Sequence, residues 1–323
     1  MKKRMAGILV FSLLAAMLTA CGTKKESGIR YHFADREEAV SCYLGNEEYF
    51  KGYSPCDIQY RTQDSNGTLE EVKEFGASQM QEFTDEDKEC LKKVLEEMEA
   101  DLKDHGYRLP DLEEITFIKS SQKEECGSAA YTHETQIYLG QYMVDFLSSE
   151  DEEERLFGKS ILWHEIFHCL TRNNPDFRKD MYQIIHFTVQ DEEYQIPPEL
   201  FKQYISNPDV PQHNSYATFK IHGKNVDCFT VLIAEKPFEK EGDSFFDSMK
   251  TALVATDGSN ACYKMEDADN FWEVFGRNTE YVIDPEECMA DNFGLTLTYG
   301  ADGMEYKNPE IIKAIQDYLS ADH

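Results

Sequence analysis

The stretch Ser160-Ile161-Leu162-Trp163-His164-Glu165-Ile166-Phe167-His168-Cys169-Leu170 puts the tightest limit on what this chain can fold into. Trp163, Ile166, Phe167 and Leu170 recur at i, i+3, i+4 and i+7, so they form one apolar stripe of a helix, and Ile161 and Leu162 widen it. A helix this apolar belongs in a core. It nevertheless carries two imidazoles and a carboxylate, which are costly to bury unless something satisfies them. His164 and His168 are four apart and share a face, so they can grip one metal ion. Glu165 stands about a sixth of a turn round the axis from His168 and can reach a water on such an ion. Composition alone would produce His-Glu-x-x-His in roughly three of a hundred chains of this makeup. The assignment therefore needs a second element.

A catalytic zinc has three protein ligands and one open position. The third ligand is not on the same helix, because position 171 is Thr and position 174 is Asn, where a longer motif would have Gly and His. The run Asp284-Pro285-Glu286-Glu287-Cys288-Met289-Ala290-Asp291 supplies a candidate. Asp284 is a good N-cap, Pro285 suits the first helical position, and acids in the first turn complement the helix dipole. Glu287 and Asp291 are four apart, so Glu287 can bind metal while Asp291 takes the other nitrogen of a ligand histidine. Glu286 has Ala290 four residues on and lacks that partner. Glu280 and Asp284 have the right spacing, but Pro285 leaves them ahead of the helix.

His-Glu-x-x-His followed by a helical Glu-x-x-x-Asp resembles the gluzincins, the thermolysin-like clan of zinc metallopeptidases. The resemblance covers two helices and the strand ahead of the first. It implies Zn²⁺ on His164, His168 and Glu287, with Glu165 as general base and Asp291 behind a ligand histidine. It also implies a donor for the developing oxyanion, for which Tyr281, His133 and Tyr131 are the candidates nearest the site elements. Two features depart from the best-known members. His168 and Glu287 are 119 positions apart, and Glu286 stands where an Asn precedes the ligand Glu. The long interval requires an inserted region.

The N-terminus points to a compartment. Lys2, Lys3 and Arg4 precede an apolar segment, Gly7 to Leu18, that is too short and too early for a stable membrane span. It runs into Leu18-Thr19-Ala20-Cys21, which resembles a bacterial lipobox and implies cleavage before Cys21 and lipidation of its thiol. The expected organisation is a signal peptide over 1–20, a lipidated Cys and polar tether over 21–30, a lead-in over 31–80 and a metallopeptidase-like domain over 81–323. Removing the leader with its three bases leaves 29 Lys and Arg against 62 Asp and Glu. That balance argues against nucleic acid as a partner, because phosphates would be repelled. Eight cysteines remain after Cys21. They permit four disulfides outside the cytoplasm, while a reducing habitat would leave them as thiols.

The other elements are read from pattern. Residues 31–80 carry no chemistry-bearing pattern. Cys56 to Arg61 reads as a strand and Ser65-Asn66-Gly67 as a turn. Thr84 opens a capping box for a helix that Gly106 stops. Strands are expected at Ile115 to Ile118 and Thr135 to Gly140. The metal helix is expected from a Ser149 cap to Asn174, with further helices over Asp176 to His186 and up to Ile205. Tyr216 to Ile221 with Asp227 to Ile233 reads as a hairpin, and Lys250 to Ala255 with Ala261 to Met265 as another pair. The expected fold class is α+β, with a small twisted sheet over the metal helix and a mainly helical C-terminal part carrying the third ligand. The leading functional expectation is a lipid-anchored, extracytoplasmic zinc metallopeptidase acting on a peptide or protein substrate. The alternatives are a non-peptidase zinc hydrolase such as an amidase acting on cell-wall peptides, and a zinc-binding lipoprotein without activity.

The lipobox makes a direct prediction. Wild-type protein should partition with membranes and start at Cys21, whereas Cys21→Ser should lose both properties. Membrane fractionation with mass analysis of the mature N-terminus checks it, and a Cys21→Ser form that behaves like wild type removes the lipobox reading.

Overall fold

The computed structural model describes residues 28–321, so the leader and Cys21 lie outside the described residues. Strand β1 (Tyr31–Phe33) leads into helices α1 (Arg36–Gly45), α2 (Glu47–Lys51), α3 (Pro55–Thr62) and α4 (Leu69–Gln79), then β2 (Met80–Gln81). Helix α5 (Asp85–His105) precedes β3 (Ile115–Ser120), β4 (Ala130–His133) and β5 (Gln136–Leu139). These five strands form one sheet in the order β1-β3-β5-β4, with β2 pairing on the β1 side of β3. β1, β3 and β5 are mutually parallel, and β4 returns antiparallel to β5 with Thr132 opposite Ile137. Among the described residues β4 is thus an edge strand.

Helix α6 (Gln141–Leu147) then leads to α7 (Glu152–Asn173), which carries the His-Glu-x-x-His stretch. Ile137, Leu139 and Phe117 from the sheet share one core with Leu162, Trp163, Ile166 and Phe167 of α7. Helix α8 (Pro175–Ile184) follows. The interval before Glu287 holds β6 (Thr188–Val189), α9 (Pro198–Phe201), β7 (Ser215–Ile221), β8 (Lys224–Ala234), β9 (Met249–Ala255), β10 (Cys262–Lys264) and α10 (Phe271–Phe275). Its strands make a second, antiparallel sheet in the order β10-β9-β8-β7-β6. The chain ends in α11 (Pro285–Tyr299), which carries Glu287, and α12 (Pro309–Ser320). The fold is α+β, with a small twisted sheet packed on the His-Glu-x-x-His helix.

Most boundaries follow the local chemistry that sequence exposes. Thr84 and Asp87 exchange side-chain and backbone hydrogen bonds at the start of α5, and Gly106 ends it with a φ of 71°. Asp284 caps α11 and Pro285 opens it. Two expectations are corrected. The cap of α7 is Asp151, whose carboxylate accepts from the Glu153 and Glu154 N–H groups, and Ser149 instead accepts from Asp151 N–H. Cys56 to Arg61 is not a strand but most of α3. The signal that wins is Ser54-Pro55-Cys56-Asp57, in which Ser54 Oγ accepts from Asp57 N–H and the Asp57 carboxylate accepts from Ser54 N–H, both at 3.0 Å.

The lead-in is built into the molecule. Phe33 pairs with Phe117, and Tyr43, Phe50 and Tyr53 pack with Tyr131 and Tyr138 on the other face of the first sheet. Asp57 and Arg61 form a buried ion pair of 2.8 Å, and Arg61 reaches Glu125 at 2.6 Å.

Two helices must meet closely to bring the two halves of the motif together. At Gly294 a Cβ would lie 2.4 Å from the Ser160 carbonyl oxygen of α7. Only hydrogen fits there. Gly294→Ala should therefore push α11 away from α7, at a cost of about 1–3 kcal/mol. A lowered urea midpoint together with weakened metal binding is the expected result.

Candidate metal centre

The approach of α7 and α11 brings His164, His168 and Glu287 together, with their candidate ligand atoms all within 4.8 Å of one another. Glu287 Oε2 is 3.1 Å from His164 Nε2 and 3.8 Å from His168 Nε2. Its other oxygen accepts from the Asn207 side-chain amide, so the carboxylate presents one defined oxygen to the histidines. His164 Nδ1 is 2.8 Å from Asp291 Oδ1, and His168 Nδ1 is 2.9 Å from Glu286 Oε1. A carboxylate beside each Nδ1 accepts its N–H, which leaves each Nε2 lone pair directed at the shared point. His168 Nε2 is buried and has no hydrogen-bond partner among the described residues.

Electrostatics make the same demand for a cation. Burial would lower the His164 pKa, but Asp291 and Glu287 outweigh it and push it well above the ordinary value. Burial pushes the Glu165 carboxyl up, and His164, His168 and the Thr132 hydroxyl offset this only in part. Burial, with Glu165 and Glu287 nearby, pushes Asp209 well above the usual range. A bound cation would compete with protons at such a donor set. The orphaned His168 Nε2 and this excess of carboxylates fit a metal ion, and the chain could hold one here.

Glu165 lies in the same enclosure, where Thr132 Oγ1 of β4 donates to its carboxylate at 2.7 Å. Tyr281 sits at the rim. Its ring centroid is 6.2 Å from that of His164 and the residue is 38% exposed. The other two donor candidates are not brought to the centre. Strand alternation sends Tyr131 and His133 to the opposite face from Thr132. Tyr131 donates to Glu124 at 2.9 Å, and the His133 ring packs against Tyr49. Burial, with Arg172 and Arg61 nearby, lowers the His133 pKa to about 3, which keeps it neutral.

Four contributors escape sequence reasoning. Glu286, which has no partner on its own helix, finds one on α7. Besides His168 it accepts from Thr171 at 2.6 Å, Arg172 at 2.7 Å and Tyr182 at 2.5 Å. Burial would raise its carboxyl, but Arg172, His168 and Arg178 outweigh burial and hold it at about 2. Asp209, Asn207 and Thr132 arrive from separate segments. Asp209 forms a second group with Glu165 and His168 whose atoms also lie within 4.8 Å of one another. The one signal available was charge type: Glu286 immediately precedes the candidate ligand Glu287, and Asn207-Pro208-Asp209 sits in a loop rich in proline. No protein-family model, no curated protein and no solved structure matches the chain.

Glu286→Gln should lower metal affinity by about 10 to 100-fold, because the charge that holds the His168 tautomer is lost. Competition against a chromophoric chelator measures it. Affinity equal to wild type would remove Glu286 from the support of His168.

Proposed function

We propose that this chain is a zinc metallopeptidase of the gluzincin type, tethered outside the cytoplasm through a lipid on Cys21. One observation carries the catalytic part of the reading. Both helical histidines are braced at Nδ1 by carboxylates of α11, so that both Nε2 atoms converge with Glu287 while Glu165 stands beside them. Donors around a tetrahedral zinc with bonds near 2.0–2.1 Å lie roughly 3.3 Å apart. The 3.1 and 3.8 Å separations of Glu287 from the two Nε2 atoms bracket that spacing. An all-nitrogen-and-oxygen donor set of two His and one Glu suits a catalytic zinc with an open position.

Zinc bound there supplies a Lewis acid and lowers the pKa of a water towards about 7. The chain's own residues do the rest. Glu165 accepts the proton as water attacks a peptide carbonyl and returns it to the leaving amine. The Thr132 hydroxyl holds the Glu165 carboxylate in place. The outer edge of β4 offers backbone groups to which an extended peptide can add. Tyr281, at the rim beside His164, would donate to the developing oxyanion.

A competing reading has support from burial. His164, Glu165, His168, Asp209 and Glu287 are each 8% exposed or less. A site so enclosed also suits a metal centre without hydrolysis. Glu165→Gln separates the two. Gln is nearly isosteric, so zinc content and fold should persist while peptide hydrolysis falls by at least about 10² to 10⁴. The measurement is zinc per chain and cleavage of a mixed peptide library, with muropeptides as a second substrate class. Wild type that holds zinc but cleaves neither class would select the competing reading. A Glu165→Gln form as fast as wild type would show that Glu165 is not the base.

A further inference from the structure

The enclosure has a specific cause, the segment from Tyr204 to Val210 between α9 and β7. Its first half is fastened to α3. Ser54 Oγ donates to the Tyr204 carbonyl at 2.6 Å. Ser206 N–H and Oγ–H donate to the two oxygens of Asp57 at 2.9 and 2.8 Å, and Arg61 donates to the Ser206 carbonyl at 3.2 Å. Asp57 and Arg61 are fully buried and charged, so this mount is firm. The second half lies on the metal centre. Asn207 donates to Glu287, and Arg172 donates to the Asp209 carbonyl. Asp209 Oδ1 accepts the backbone N–H of Thr132 at 2.6 Å and stands 3.9 Å from His168 Nε2.

That last pair of contacts is decisive. Thr132 N–H is directed away from β5, off the free edge of the sheet, where an added peptide strand would find its donor. The structure fills that donor with a carboxylate of the chain itself. The same carboxylate lies within 4.8 Å of the Glu165 and His168 atoms that a scissile bond would have to approach. A peptide and Asp209 cannot occupy this place together. Pro208 and Pro211 limit the backbone freedom of the segment, so it moves as a short stiff unit.

Resting on the peptidase reading above, we propose that Asn207–Val210 is an intrachain occupant of the peptide groove. It keeps the folded enzyme latent until the strap lifts about its mount at Ser206. The lead-in region then has a task, since α3 supplies that mount. The polar half of the strap is the part that must detach. It is held by hydrogen bonds to side chains and one backbone N–H, contacts that a peptide's own backbone could replace.

The test uses the zinc-loaded mature chain and two substitutions. Asp209→Ala removes the carboxylate, and Asp209→Asn keeps an oxygen for Thr132 N–H while removing the charge. A hydrogen bond to a charged group accounts for about tenfold or more in an opening equilibrium. Asp209→Ala should therefore speed amide exchange over 204–210 and at Thr132 by about that factor, and speed cleavage of a mixed peptide library in parallel. Asp209→Asn should fall between it and wild type in both readouts. Faster exchange with unchanged or slower cleavage, while wild type does cleave, overturns the proposal, because the strap would move without having blocked the groove. Unchanged exchange overturns it as well. If no form cleaves any peptide although all hold zinc, the peptidase reading fails and the groove assignment falls with it. Faster exchange in that case would mark the strap only as a cover over a metal centre of another use.

Discussion

Five carboxylates gather around two histidines in a space nearly closed to water, and the rest of the structure has to answer for them. Glu165, Asp209, Glu286, Glu287 and Asp291 all contact or approach His164 and His168. Unpaired charges in such a place would cost several kcal/mol each. Two of the five are settled by the chain. Glu286 is held ionised by the Arg172 guanidinium, and Asp291 is bonded to His164 and to the Thr279 hydroxyl. The remaining three each have one donor from the chain, Thr132 for both Glu165 and Asp209, and Asn207 for Glu287, but no cationic side chain among those donors. A divalent cation is the simplest group that would satisfy all of them at once, in competition with protons.

The scaffold meets this demand by making two rigid frames converge. One is the pair α7 and α11, brought so close at Gly294 and Ser160 that no side chain fits between the backbones. This closeness lets Asp291 and Glu286, on two faces of one helix, each reach a different histidine. The other frame is the Asp57–Arg61–Glu125 cluster under the lead-in helices. It is as deeply buried as the candidate metal centre and is fully internal, with Arg61 serving Asp57, Glu125, Tyr49 and the Ser206 carbonyl. Its link to the centre runs through four residues, Ser206 to Asp209. A disturbance at α3 thus has a short route, through its hydrogen bonds to Ser206 and then along the chain, to Asn207 and Asp209.

What could be read from the sequence was whatever depends on neighbours along the chain. The helix of His164 and His168 is legible from its apolar stripe, and the helix of Glu287 from Asp284-Pro285. The pairing of Asp291 with one of the two histidines, His164, followed from a four-residue spacing. The α3 region was misread because Cys56, Ile58 and Tyr60 alternate like a half-buried strand. The cap at Ser54 outweighs that alternation, since it fixes the backbone of the first turn directly. Glu286, Asn207, Asp209 and Thr132 were not legible. Their roles arise across 33 to 118 positions of separation, and each looks like an ordinary polar residue in its own segment. The second sheet was visible as two strand pairs, but its order and its relation to the centre depend on contacts that no local pattern encodes.

The cysteines show how the same burial keeps the donor set to nitrogen and oxygen. Cys169 directly follows His168, and Cys288 directly follows Glu287, so soft ligands lie one residue from each half of the centre. Neither thiol joins it. One residue along a helix is a turn of about 100°, which points both side chains into the apolar core. Cys288 Sγ spends its proton on the Phe275 carbonyl at 3.4 Å. Burial pushes both thiols well above the ordinary range, and Cys56, Cys126 and Cys228 up to about 12. A thiol must lose its proton to bind metal or to enter a disulfide, so these groups are disarmed for both. Among the described residues all eight cysteines are free thiols.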